Sequence, residues 1–225
     1  MNPIEIAISL FVLLFAITVH ESAHGWAAYR AGDTTARDMG RITLNPLAHI
    51  DPIGTVLLPL ILVLAGAPAF GWAKPVPVNS YRLRHPKRDT LLISLAGPAA
   101  NLLAATGALA ILVILKVASP AIRVFLLNPS LARALAPGGF QPLQGLAFIL
   151  FFAVIINVYL AVFNMIPIPP LDGSGILMGL LSDRAAARYE KIRPFGFIIV
   201  LALLYLNVLD IIILPFQVLI SLVLR

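Results

Sequence analysis

His20-Glu21-Ser22-Ala23-His24 is the stretch whose residue types and spacing could do chemistry. Residues four apart lie on one helix face, so His20 and His24 can offer two imidazole nitrogens to one metal ion, with Glu21 carried beside them. A catalytic zinc takes three protein ligands and leaves one position for water. The pattern therefore points to metal-assisted hydrolysis. Glu21, next to a ligand without being one, would take a proton from the attacking water and pass it to a leaving amine. The plain alternative is two histidines and a glutamate satisfied by neighbouring helices.

The setting of the motif decides between these readings. Ile4 to Val19 before it and Gly25 to Tyr29 after it contain no basic residue and only Glu5 as a charge. At about 1.5 Å per residue, His20 lies roughly 15 Å and His24 roughly 9 Å from Arg30 along a helix. A hydrocarbon core is about 30 Å thick, so a helix over residues 4–30 carries both imidazoles well below one membrane surface. Ionisable groups at that depth are costly and mark functional sites.

Composition agrees with a membrane location. The 225 residues are 60% hydrophobic and only 12% charged, with a mean hydropathy of +0.97, which excludes an ordinary globular domain. Continuous apolar runs, rather than alternating ten-residue segments, make the spans helices and not a β-barrel. The expected fold is an all-α polytopic membrane protein of five to six transmembrane or re-entrant helices with a small membrane-edge β-hairpin. The formal charge of +6 sits in short loop clusters, which suits contact with the lipid bilayer better than with nucleic acid. No cysteine is present, so thiol ligands are excluded. The first apolar segment lacks a basic leader and holds the motif, so it is read as retained rather than cleaved. The whole of 1–225 is read as one intramembrane metalloprotease domain, its motifs within 1–195 and its last helices in 196–225.

The elements that must position the motif follow in order. Arg30, Arg37 and Arg41 follow the first helix, which marks that side as cytosolic. Pro52 to Ala67 is short and interrupted by Pro59. Lys74, Arg82, Arg84, Lys87 and Arg88 follow it, again a cytosolic signature, so 52–67 reads as re-entrant rather than as a full crossing. In Phe70 to Tyr81 the Val/Pro alternation predicts an extended hairpin. Pro75 and Pro77 would close one edge, and Val76 and Val78 would leave the other edge free to pair with an extended substrate. Asp89 to Val117 is predicted as a long helix with Thr90 near its N-cap, and Ser119 to Gln141 as an outer connection. A returning helix runs from Leu143 to about Ile166, where Pro167, Pro169 and Pro170 stop it and Gly173 permits a turn. A third basic cluster, Arg184, Arg188, Lys191 and Arg193, precedes two shortened helices in 195–224.

That topology brings Asp172 to the side of the membrane that holds His24, which makes it the chosen third ligand. His49, Asp51, Glu190 and Asp210 stand as competitors. Asn101, roughly 18 Å along its helix from Asp89, reaches a depth similar to that of His20 and could donate to a developing oxyanion. Asn157 and Asn164 could do similar work, and helix packing explains all three equally well.

Taken together, His20 to His24, Gly97 to Asn101 as GxxxN, and Asn164 to Gly173 ending in Leu-Asp-Gly resemble the three signatures of the site-2 protease family of intramembrane zinc metalloproteases. The resemblance covers roughly residues 1–195. It implies one zinc held by His20, His24 and Asp172, Glu21 as catalytic base, and cleavage of single-pass membrane proteins in or near their transmembrane segments. It also implies a substrate held as an unwound strand near residues 70–80. The chain is too short for the PDZ or CBS domain that many members carry. The function read is therefore an intramembrane zinc endopeptidase of a prokaryotic inner membrane, its site toward the cytosol. The alternative is a membrane metal-binding or zinc-transport protein using the same three ligands, which leaves Glu21 without a task.

Overall fold

The structure is a computed structural model and describes residues 3–64, 71–127 and 142–224. Helix α1 (Pro3–Arg30) carries the histidine motif in its last three turns. It stops where Gly32 takes a φ of +110°, a conformation cheap only for glycine, and the Gly32 and Asp33 N–H groups close back on Tyr29 O and Ala28 O. A single turn, α2 (Thr35–Asp38), follows. Asn45 then caps the tight turn Pro46–His49, and Asp51 accepts from the N–H groups of Ile53 and Gly54 to start a π-helical turn, Pro52–Leu57. That turn runs into α3 (Leu58–Leu64). The described part of the expected re-entrant segment, 52–64, is shorter than the roughly 20 residues a full crossing needs. Its continuation to Ala67 lies outside the described residues.

Helix α4 (Pro86–Ala118) begins a turn earlier than expected. Pro86 supplies a helical φ at the first position, and the Asp89 carboxylate accepts from the His85 N–H at 2.7 Å, so Thr90 lies inside the helix and caps nothing. Straight after Ser119 comes α5 (Pro120–Leu127), which puts a helix into part of the expected outer connection. The rest of that connection, 128–141, lies outside the described residues. Helix α6 (Pro142–Asn164) returns toward the proline-rich turn, and α7 (Asp172–Leu180) opens on the acidic residue of the Leu-Asp-Gly sequence. The last elements are α8 (Asp183–Tyr189), α9 (Gly196–Tyr205) and α10 (Val208–Leu224). Asn207, at φ +54°, sits at a 62° bend between the last two, so 195–224 does form two shortened helices.

Among the described residues three helices, α1, α4 and α6, are long and apolar enough to cross a membrane, and the bent pair ending in α10 makes at most a fourth. With α3 and the two arms of that pair counted separately, the total fits the expected five to six. The chain is an integral membrane protein, and its outer faces show it: Leu103, Ile114 and Ile211 are 74%, 64% and 70% exposed, large apolar side chains that belong against lipid.

Among the described residues there is no β-strand, which corrects the expected hairpin. Residues 71–79 form neither helix nor strand, and their polar groups bond to scattered partners instead of a ladder. Trp72 N–H donates to Gly54 O, Lys74 N–H to His49 O and Val76 N–H to a carboxylate on α1, while Pro75 and Pro77 have no N–H to give.

Helix α4 is the centre of the molecule and packs against α1, α6 and α7. Ala105, Ala108 and Leu112 of α4 meet Val154 and Val158 of α6 in the main core. Small residues set how closely α7 approaches. A Cβ at Gly175 would fall 2.1 Å from Ser94 Oγ, and one at Gly179 would fall 2.6 Å from Leu91 Cβ. This close packing fixes the first residue of α7, Asp172, against the histidine face of α1.

Candidate metal centre

On α1, His20 and His24 point their Nε2 atoms to within 3.1 Å of one another. Asp172 Oδ2 completes the group, 3.0 Å from His20 Nε2 and 3.3 Å from His24 Nε2. Both imidazoles are buried. Their other ring nitrogens are spoken for: His20 Nδ1 lies 2.6 Å from Asn101 Oδ1, and His24 Nδ1 lies 2.7 Å from Ile93 O. Both acceptors are oxygens, so each Nδ1 must carry a proton, and the tautomer that leaves Nε2 free to ligate is the one selected.

Two lone pairs and a carboxylate oxygen that converge in this way repel one another unless a proton or a metal cation lies between them. Asp172 Oδ2 is moreover buried without a hydrogen-bond donor. A His2Asp donor set with both distal N–H groups tied to oxygens suits zinc, which takes neutral imidazole and carboxylate ligands and is tuned by such outer hydrogen bonds. The residues present therefore fit a zinc ion. Among the described residues, this is the one group of three acidic or imidazole side chains able to hold a metal.

The centre exists only because α4 comes close. A Cβ at Gly97 would stand 2.4 Å from His24 Nε2 and 2.7 Å from His20 Cε1, so any larger residue collides with both rings. On the other side, a Cβ at Gly173 would lie 2.3 Å from Met165 O, which lets the turn out of α6 fold tightly and deliver Asp172.

The competing ligands lie elsewhere. His49 Nε2 is bonded to Thr43 O, Asp51 caps a turn, and Glu190 pairs with Arg193. Asp210 opens α10. Asn101 is fully buried, and its amide group is spent within the protein: Nδ2 donates to Ala16 O at 3.1 Å and to Asn157 Oδ1 at 2.7 Å. In this arrangement both amide hydrogens are taken up within the protein, and Asn101 Oδ1 orients His20. Asn157 stands behind it, whereas Asn164 only bonds its own helix at Leu160 O. Sequence reasoning counted Arg41 only among the basic loop residues that mark the cytosolic side, yet it is buried. Nothing in its local sequence signals that.

The likeness to known proteins agrees with this centre. Residues 8–206 match the model of Peptidase family M50. The chain belongs to peptidase family M50. It is 35% identical to "Putative zinc metalloprotease YwhC" of Bacillus subtilis (strain 168) over 86% of this chain and 78% of that protein. It is 30% identical to "Putative zinc metalloprotease Rip2" of Mycolicibacterium smegmatis over 88% of this chain and 68% of the relative. The protein of the same name from Mycobacterium tuberculosis (strain H37Rv) is 28% identical over 84% of this chain, which spans 63% of it. No solved structure matches. As an M50 member the chain is a zinc metalloprotease, and every residue of its candidate centre falls within the matched region.

Proposed function

We propose that this M50 peptidase is an intramembrane endopeptidase holding one zinc per chain through His20, His24 and Asp172. Its substrates are single-pass membrane proteins, cut in or near their transmembrane segments. The observation that carries the reading is the convergence of three ligand atoms, two of them on the first apolar helix and the third on Asp172 of α7, with Glu21 one residue along from His20.

Zinc bound there supplies Lewis acidity and lowers the pKa of water at its open position. The chain does the rest. Asn101 and Ile93 hold the two imidazoles in the tautomer that turns Nε2 inward. Glu21 receives the proton of the attacking water at its carboxylate and returns it to the amine of the departing half of the peptide. The enclosing helices keep bulk water from the reacting atoms, which strengthens each charge interaction among them.

Orientation is part of the same reading. Basic residues cluster after α1, before α4 and in and just after α8, the side toward which His24 lies, which supports a site facing the cytosol of a prokaryotic inner membrane. The test is purified full-length protein with stoichiometric zinc, assayed against a panel of transmembrane-segment reporters. Glu21→Gln should keep its zinc and lose cleavage by a factor of about 10² or more. Undiminished proteolysis by that variant would exclude Glu21 as the base.

A further inference from the structure

The faces of α1 around the motif are unequally open. The His20 and His24 face meets Gly97 of α4 and Asp172 of α7. The face holding Glu21 and Gly25 meets segment 71–79: Val76 N–H donates to Glu21 Oε2 at 3.0 Å, and a Cβ at Gly25 would lie 3.4 Å from Val76 Cγ1. An open cleft of about 400 Å³, lined from α1 by Val19, Ser22, Ala23 and Trp26, lies away from that face, about 100–200° round from Glu21 at 3.6 residues per turn. A scissile peptide has to stand between the metal ligands and the base, so segment 71–79 lies across its approach.

What keeps the segment there is a buried cation. Arg41, 5% exposed, donates through Nη2 to Lys74 O and to Pro75 O, the two carbonyls immediately before Val76. Its Nε–H has no acceptor. The other ties are bonds from Trp72 N–H to Gly54 O and from the Thr55 hydroxyl to Trp72 O, from Lys74 N–H to His49 O and from Asn79 N–H to Asp33 Oδ2. A segment held by isolated hydrogen bonds, with no ladder and no helix of its own, belongs to the parts of a fold that open at low cost.

We infer that residues 71–79 form a strap that closes the site between substrates, with the Val76 amide docked on Glu21 and Arg41 acting as the latch. The inference rests on the proposed role of Glu21 as base. Lifting the strap frees Glu21 Oε2 and opens the path beside it, and closing it shuts both.

The absence of native cysteine makes the strap directly testable in the full-length, zinc-loaded protein. In Gly25→Cys/Val76→Cys, oxidation should cross-link α1 to the strap and lower reporter cleavage at least tenfold at unchanged zinc content, and reduction should restore it. Equal rates in the two forms would overturn the strap, and so would a failure to cross-link, because Gly25 and Val76 would then not meet. A second measurement is independent of proteolysis. With Val76→Cys alone, labelling by a water-soluble maleimide should be at least fivefold faster when Arg41→Gln is added, and equal labelling rates would overturn the latch. If labelling behaves as expected while even the reduced protein cleaves no reporter, the protease reading fails and the strap stands.

Discussion

Asn101 Oδ1 lies 2.6 Å from His20 Nδ1, joining two residues 81 positions apart in the middle of the membrane domain. Because the Asn101 amide hydrogens go to Ala16 and Asn157, this bond sets the protonation pattern of a ligand rather than touching the reacting peptide. Asn101→Ala should therefore weaken zinc binding by about 10–100-fold, as loss of an outer hydrogen bond to a ligating histidine does elsewhere. Competition with a fluorescent chelator measures this. Unchanged zinc affinity with a reduced kcat would instead restore the oxyanion role.

Gly97→Ala should be far more damaging than its single added methyl group suggests. The new Cβ would meet His24 Nε2 at 2.4 Å, and neither the ring nor the backbone of α4 can retreat without moving the ligand set. Misplacement by about 1 Å costs about 10²-fold in rate, so activity should drop by at least that much and zinc should fall below stoichiometric. Gly107→Ala in the same helix, where nothing lies within 4 Å, serves as the control and should retain both.

Removing the metal should destabilise the fold as well as stop the reaction. Without a cation, the His20 and His24 lone pairs face one another 3.1 Å apart beside the Asp172 carboxylate. A ligand at 1,000 times its Kd stabilises by about 4 kcal/mol, so a chelator should lower the melting temperature by several degrees and added zinc should restore it. Asp172→Ala should show the lower melting temperature and little response to zinc.

Acid should weaken the anchor of segment 71–79. Burial pushes the Asp33 carboxyl up, but the Thr35 hydroxyl, the N–H groups of Asn79 and Thr35 and the Arg82 charge outweigh it and hold the group below its ordinary value. A depressed carboxylate stabilises the folded state above its unfolded pKa of about 3.9, and that contribution is lost as pH falls through the lower folded value. Melting temperature should therefore fall more steeply with pH below about 4 in the natural protein than in Asp33→Asn, and identical slopes would refute the linkage.

Much of this molecule is local in origin, and for that reason it can be read from the chain. Two histidines four apart share a helix face wherever a helix forms. Sixty per cent apolar composition in continuous runs admits only membrane helices, and prolines and glycines end them at Arg30 and Asn164. Even the side of the membrane that receives Asp172 follows from counting spans. The fine boundaries were less legible: α4 starts at Pro86 because Asp89 turns back to cap it, a contact that a Thr at position 90 obscures.

Tertiary structure alone decided which oxygen each imidazole meets, whether Asn101 faces the substrate or a ligand, and where segment 71–79 docks. Val76 and Glu21 are 55 positions apart, Arg41 and Lys74 33 apart, and Asn101 and His20 81 apart. No helical or strand period links such positions. Their pairing depends on how the helices and loops approach one another, and for the ligand set that approach is fixed by close packing at Gly97, Gly175 and Gly179.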